Sequence, residues 1–179
     1  AVYRYKTDKG FFKAYGAFSY SDFSLIQEDI NVEDGFFFGL RNRNYYGNLN
    51  YTGELSESWD IQSGVSLSRD HTDLNLTTTK IDNSETAVHG KVKVSKRYNN
   101  YFKMHYGAEQ FVIDSKESIL FEQESFNNTI NQYNTGAFVE SEIFASKDLA
   151  FKIGGRADYY NTTQQIRFSP RLSAAISIS

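Results

Sequence analysis

Apolar and polar residues alternate one for one from Leu149 to Tyr160. Leu149, Phe151, Ile153, Gly155, Ala157 and Tyr159 fall on one side, and Ala150, Lys152, Gly154, Arg156, Asp158 and Tyr160 on the other. Successive side chains of a strand project to opposite faces, so a period of two predicts a strand with one apolar and one wet face. The pattern recurs. Val88, Gly90, Val92 and Val94 alternate with His89, Lys91, Lys93 and Ser95, while Phe168, Leu172, Ala174, Ile176 and Ile178 alternate with Ser169, Arg171, Ser173 and Ser177. Strands are predicted at 1–7, 11–29, 36–55, 59–81, 86–95, 101–114, 132–145, 149–161 and 165–179, and no stretch carries a helical period. With 1 Pro in 179 residues, little interrupts a continuous antiparallel meander.

The connections alternate in character as well. Short polar turns are expected at 7–10, 56–60, 96–100 and 146–149, and longer connections at 27–35, 80–85, 114–132 and 160–165. Tight turns at one end and longer loops at the other are the asymmetry of an up-and-down barrel that crosses a membrane. Several predicted strands exceed the roughly 9 to 11 residues that a tilted strand needs to cross a bilayer, which suits a wide barrel with walls projecting above it.

Which face meets oil follows from what each face carries. Lysines hidden in a soluble core would cost heavily unless paired, whereas a watery lumen accepts them. Rings cluster beside the short turns, at Tyr3, Tyr5, Phe11, Phe12, Trp59, Tyr98, Tyr101, Phe102, Phe144 and Phe151, where an interfacial aromatic girdle would lie. Bare glycines at apolar positions, Gly16, Gly47, Gly90 and Gly155, are better tolerated against lipid than in a packed interior. The expected orientation turns Leu149, Phe151, Ile153, Val88, Val92, Leu172 and Ile176 out to lipid and Lys91, Lys152, Arg156 and Arg171 inward.

Composition agrees: mean hydropathy is -0.54 although 16% of residues are aromatic, because alternation averages a barrel strand's hydropathy away. No apolar run approaches the length of a spanning helix. The absence of Cys removes disulfides and cysteine metal sites, and a net charge of -3 gives no reason to expect nucleic acid as a partner. The first ten residues lack a secretory signal pattern, so the chain reads as mature or as an excerpt.

Candidate chemistry is sparse. His71, His89 and His105 lie on different strands without metal-ligand spacing, although His89 and His105 could face one another across the hairpin around Arg97, as two imidazoles in a polar wall. Asp70, His71 and Asp73 gather near an outer loop, but Ser-His-Asp catalysis would also need an oxyanion hole. A membrane phospholipase stays a minor alternative. Glu140, Glu142, Lys152, Arg156, Asp158 and Arg171 read as a cross-strand charge ladder inside a lumen. The expectation is no enzyme, no cofactor and no metal.

Nine strands leave the first and last running in the same sense, so the chain is expected to be one barrel segment, 1–179, that does not close on itself. At this point a resemblance becomes visible. The stretch 136–161, with Gly136, Phe138, Glu140, Gly155, Arg156, Asp158 and Tyr159, followed by Pro170, Arg171 and Leu172, resembles the barrel portion of TonB-dependent outer-membrane receptors; 99–111 is similar to a preceding strand of the same barrels. The Asn-, Lys-, Tyr- and Phe-rich style resembles Bacteroidetes sequences. The chain departs from the family in lacking a plug domain, a TonB-binding box and a terminal aromatic residue. The resemblance implies an all-β, antiparallel up-and-down transmembrane β-barrel in the bacterial outer membrane. It implies uptake of a scarce nutrient such as an iron-siderophore, with outer-membrane lipid, the imported small-molecule ligand and the energy transducer TonB, acting through a plug domain not in this chain, as partners. The candidate ligand side is the 114–132 loop with Glu117, Phe121 and Phe126, together with Arg41, Arg43, Asp70 and His71 above the expected bilayer level. A complete small outer-membrane barrel with a structural or adhesive role and a soluble ligand-binding barrel are the alternatives.

Overall fold

A computed structural model describes residues 1–29 and 32–177. Every element is a strand: β1 (Val2–Thr7), β2 (Gly10–Asp29), β3 (Val32–Ser56), β4 (Trp59–Leu76), β5 (Thr79–Arg97), β6 (Phe102–Phe121), β7 (Glu124–Phe144), β8 (Leu149–Tyr160) and β9 (Gln165–Ile176). They form one sheet in the order β1-β2-β3-β4-β5-β6-β7-β8-β9, each antiparallel to its sequence neighbours. Among the described residues β1 and β9 do not pair, so the sheet is an open, curved wall. The expected Ile178 and Ser179 end of the last strand and the centre of the expected 27–35 connection, Ile30 and Asn31, lie outside the described residues.

Two expected loops are strand. Residues 80–85 belong to β5, and 114–132 belongs to β6 and β7, whose register runs without a slip from Phe102↔Ile143 to Phe121↔Glu124. The upper connections shrink to 77–78, 122–123 and 161–164, as tight as the lower turns. Glu122 turns the β6–β7 hairpin with φ 54, a left-handed backbone that glycine adopts far more readily. The asymmetry of the wall therefore lies in strand height. At about 3.3 Å per residue, 20 residues of β6 exceed twice the roughly 25 Å apolar band of a membrane barrel.

The register also separates His89, opposite Phe111, from His105, opposite Ser95. The hairpin centre lies beyond Arg97, among the turn residues 98–101.

Curvature sorts the faces. Arg4, Lys13, Asn50, Lys91, Lys103, Arg156 and Arg171 line one concave space of about 1530 Å³, so their face is the inner one. Leu149, Phe151, Ile153, Val88, Val92, Leu172 and Ile176 take the convex face, as the alternation predicts. In the expected girdle Phe11 and Phe144 are exceptions: each falls in register with inner residues, Phe11 with Lys6 and Phe144 with Ala150.

A single layer has no core of its own. Among the described residues the only buried ones are Ala87, Ser95, His105 and three glycines, Gly35, Gly39 and Gly136, and large apolar side chains such as Phe168, at 79% exposure, stand bare. A wall with this much apolar surface is stable only where something other than water covers it.

Candidate functional site: the inner wall

The register places whole rows of side chains on one face. On the outside Phe12, Tyr51, Ser63, Val92, Ala108, Ala137, Ala157 and Phe168 follow one another across eight strands. The adjacent inner row is Lys13, Asn50, Gly64, Lys91, Glu109, Gly136, Asp158 and Arg167. Here the wall is apolar out and charged in.

Further up the strands the faces exchange character. The inner row Phe23-Leu40-Leu74-Ile81-Ile119-Phe126 is wholly apolar, and the outer row beside it, Asp22-Arg41-Asp73-Asp82-Ser118-Asn127, is wholly polar. The exchange falls at the outer row Phe18-Tyr45-Arg69-Thr86-Asp114-Asn131, where Phe18 and Tyr45 pack with ring centroids 4.9 Å apart. Ile26, Phe37 and Leu120, near the tips, are apolar residues on the polar outer side. At the lower end Lys96 lies 5.0 Å from the Trp59 ring centroid and 4.5 Å from that of Tyr98, both rings being on the predicted lower girdle. Aromatic rings with a flanking cation are what a lipid–water boundary selects.

The glycines of the outer apolar rows are open, although Gly10, Gly39 and Gly53, nearer the strand ends on that face, lie under Tyr51 or Phe37. A Cβ on Gly47, Gly90 or Gly155, on the outer face, would meet nothing within 4 Å. On the inner face each glycine lies under a neighbour's side chain: Gly64 under Asn50, Gly107 under Phe138, Gly136 under Arg156 and Asp158, Gly154 under Glu140.

The lower inner wall is a network of ion pairs. Arg156 bridges Glu109 and Asp158, its Nη2 lying 2.6 Å from Asp158 Oδ1. Lys91 Nζ lies 3.4 Å from Glu109, Arg171 2.9 Å from Glu140, Lys152 3.4 Å from Glu142, and Lys103 3.4 Å from Asp60. The Arg156–Glu109 and Lys103–Asp60 pairs each skip a strand, tying alternate staves across the concave face. The predicted ladder is thus present, with Glu109 and His105 as members that the alternation alone did not single out.

His105 has two partners: its Nδ1 lies 2.8 Å from Ser95 Oγ and its Nε2 3.3 Å from Glu142. Ser95, at 4% exposure, and His105 are thus held with Glu142 in one chain of polar contacts on the inner wall.

Above the charged zone Asp70 is a local hub. It accepts hydrogen bonds at 3.1 Å from Asn42 Nδ2, Asn44 Nδ2 and Thr72 Oγ1. Burial raises its pKa, but these hydrogen bonds to the ionised form outweigh it and hold the carboxyl below the ordinary carboxylate range.

Of the residues expected on the ligand side, Asp70, Glu117, Phe121 and Phe126 do share the inner face. Arg41, Arg43 and His71 do not: they alternate out of phase with Asp70 and point outward. Arg41 Nε pairs with Asp22 at 3.1 Å, and His71 Nε2 stands 3.4 Å from Asp73 and 3.5 Å from Asp82. The expected grouping of Arg41, Arg43 and His71 with Asp70 on one ligand side is therefore corrected. A period of two separates neighbours such as Asp70 and His71 onto opposite faces.

Comparison with solved structures finds similarity to a copper transporter, OprC, with a TM-score of 0.57 and 11% identity over 97% of this chain and 39% of that one. The chain thus spans about two fifths of the length of that neighbour. No protein-family model matches the chain, and no curated protein matches it. At this identity the likeness concerns the fold, and the fold is that of an antiparallel up-and-down transmembrane β-barrel wall, all-β and nine strands wide.

Proposed function

We propose that this chain is part of the wall of an outer-membrane transport barrel that imports a small solute. The observation that carries the reading is the exchange of face polarity. Apolar rows face outward over the height of a bilayer, and above the Phe18–Tyr45 boundary the same strands turn polar residues outward, as a wall leaving lipid for water requires. The charged inner wall supplies the aqueous side of the path. A soluble ligand-binding barrel would keep one polar outer face from end to end.

On this reading the import is TonB-dependent, driven through a plug domain outside these 179 residues, and the cargo is a scarce nutrient, an iron chelate being one such class. The resemblance of 136–161 and 167–179 to TonB-dependent receptors supports this, as does the likeness to a transporter fold. The wall acts on its cargo by binding and guiding it, with no bond made or broken.

Fractionation tests the transport reading. The protein should appear in the outer membrane, need detergent for extraction and run faster on a gel unheated than boiled. A folded monomer in detergent-free buffer would contradict it. For energised import, growth on the limiting nutrient should fall equally on deleting this protein or the transducer.

A further inference from the structure

Cations on the inner wall divide into two groups. From β6 to β9, with Lys91 of β5, five have their acids: Lys91 has Glu109, Lys103 has Asp60, Lys152 has Glu142, Arg156 has Glu109 and Asp158, and Arg171 has Glu140, while Arg97 and Arg167, near strand ends, have none among the described residues. Between β1 and β5 the pairing stops. Arg4 stands directly opposite Lys13, and Lys6 and Lys93 lie along the next inner row, Lys6-Phe11-Thr52-Gln62-Lys93. No carboxylate among the described residues pairs with any of these four. Like charges set opposite each other on a sheet destabilise it, so this arrangement calls for a counter-charge.

The floor between them is uncharged and rich in amides: Asn48, Asn50, Thr52, Gln62 and Gly64. Asn50 lies across Gly64, where a Cβ would collide with its amide, and donates from Nδ2 to Asn48 Oδ1. Between β1 and β5 the carboxylates of the same cavity keep to its lower rim, at Asp8, Glu54 and Asp60, beside the turns 8–9 and 57–58, and its remaining carboxylate, Glu140 of β7, pairs with Arg171. The space of about 1530 Å³ exceeds the roughly 300 to 1,000 Å³ that small-molecule sites occupy. A concave wall of one sign focuses its field and concentrates ions of the other.

We propose that the inner face between β1 and β5 is a binding site for a small solute bearing phosphate or carboxylate groups, with Arg4, Lys6, Lys13 and Lys93 supplying the charge and Asn50 and Gln62 the neutral donors. This rests on the transport reading and assigns its cargo a class, an anion or an anionic complex rather than a bare cation.

The test uses the full chain folded in detergent, with pyrophosphate and citrate as calorimetric probes and spermidine as a cationic competitor. Both anions should bind and spermidine should not displace them. Lys13→Gln and Lys93→Gln should each weaken binding about tenfold, the loss of one charge-assisted hydrogen bond. Lys152→Gln, already neutralised by Glu142, should leave it unchanged. Raising salt from about 0.05 M to about 0.5 M should weaken the unaltered protein's binding further. The proposal is overturned if the heat-modifiable protein binds neither anion, if both variants bind as the parent does, or if Lys152→Gln weakens binding equally. Should the variants not fold, a salt-independent affinity in the unaltered chain overturns it. The transport reading fails separately, by absence from the outer membrane, and leaves the binding data standing.

Discussion

Ile81 and Val92 lie on one strand, β5, yet Ile81 points to the inner wall beside Leu74 and Ile119 while Val92 points outward beside Ser63 and Ala108. A strand in one solvent keeps its apolar residues in one phase. This strand changes phase along its length, and its neighbours β2, β3, β4, β6 and β7 change with it. Below the change the outer face is matched to lipid; above it, to water.

The first consequence concerns charge on the outer face. Ile153 is 50% exposed on the apolar side of β8, so Ile153→Arg should cost about 2 to 4 kcal/mol at midplane depth. Asn127→Arg, on the outer face beside Ser118 above the boundary, should stay within about 0.5 kcal/mol. Denaturant titration of both variants refolded into bilayers measures the difference. Equal costs would mean that the two positions share one environment.

Gly136 on the inner face and Gly90 on the outer face should respond oppositely. At Gly136 a Cβ would come 2.5 Å from Asp158 Oδ1 and 2.6 Å from Arg156 Nη2, so Gly136→Ala should disturb the brace and cost about 1 to 3 kcal/mol. At Gly90 nothing lies within 4 Å, and Gly90→Ala should be neutral or stabilise by about 0.4 to 1 kcal/mol. The same bilayer titration reads both.

Acid should loosen the upper β3–β4 wall. The Asp70 carboxyl is held below its ordinary value by hydrogen bonds from Asn42, Asn44 and Thr72. Its contribution is therefore full above the unfolded carboxylate pKa of about 3.9 and is lost as pH falls through the lower folded value. Asp70→Ala should remove about 1 kcal/mol near neutral pH and flatten this group's acid dependence. Hydrogen exchange of β3 and β4 amides between roughly pH 5 and 2 would show it, and a variant with the parent's acid profile would exclude Asp70 as the cause.

The β6–β7 tip offers a gain. Glu122 sits at φ 54, so Glu122→Gly should relieve about 1 kcal/mol of backbone strain. Protection of the Glu122 amide, which donates to Thr78 O at 3.1 Å, should then rise.

Much of this wall was legible in the sequence. Strict alternation located the lower halves of the strands, and the facing of Ile153 and Arg156 followed from it. Residues 114–132 escaped because alternation there does not stop but changes phase: Met104, Tyr106, Ala108 and Val112 are outer, whereas Ile113, Ile119 and Phe121 are inner. A pattern sought in one phase reads such a change as a loop. Arg41, Arg43 and His71 were grouped with Asp70 by position along the chain, and the parity of their numbers against the register was the signal that separates them. The pairing of Glu109 with Arg156 depends on sheet curvature across two strands, which no local pattern encodes.

The most direct measurement of the central claim is spin-label accessibility along β5 and β8 in bilayers. Labels at Val92 and Ile153 should contact lipid-soluble oxygen, while labels at Lys91, Arg156 and Asp82 should contact a water-soluble relaxant. Oxygen contact at Asp82 as strong as at Val92 would show no exchange of faces, and oxygen contact at Arg156 rather than Ile153 would reverse the wall.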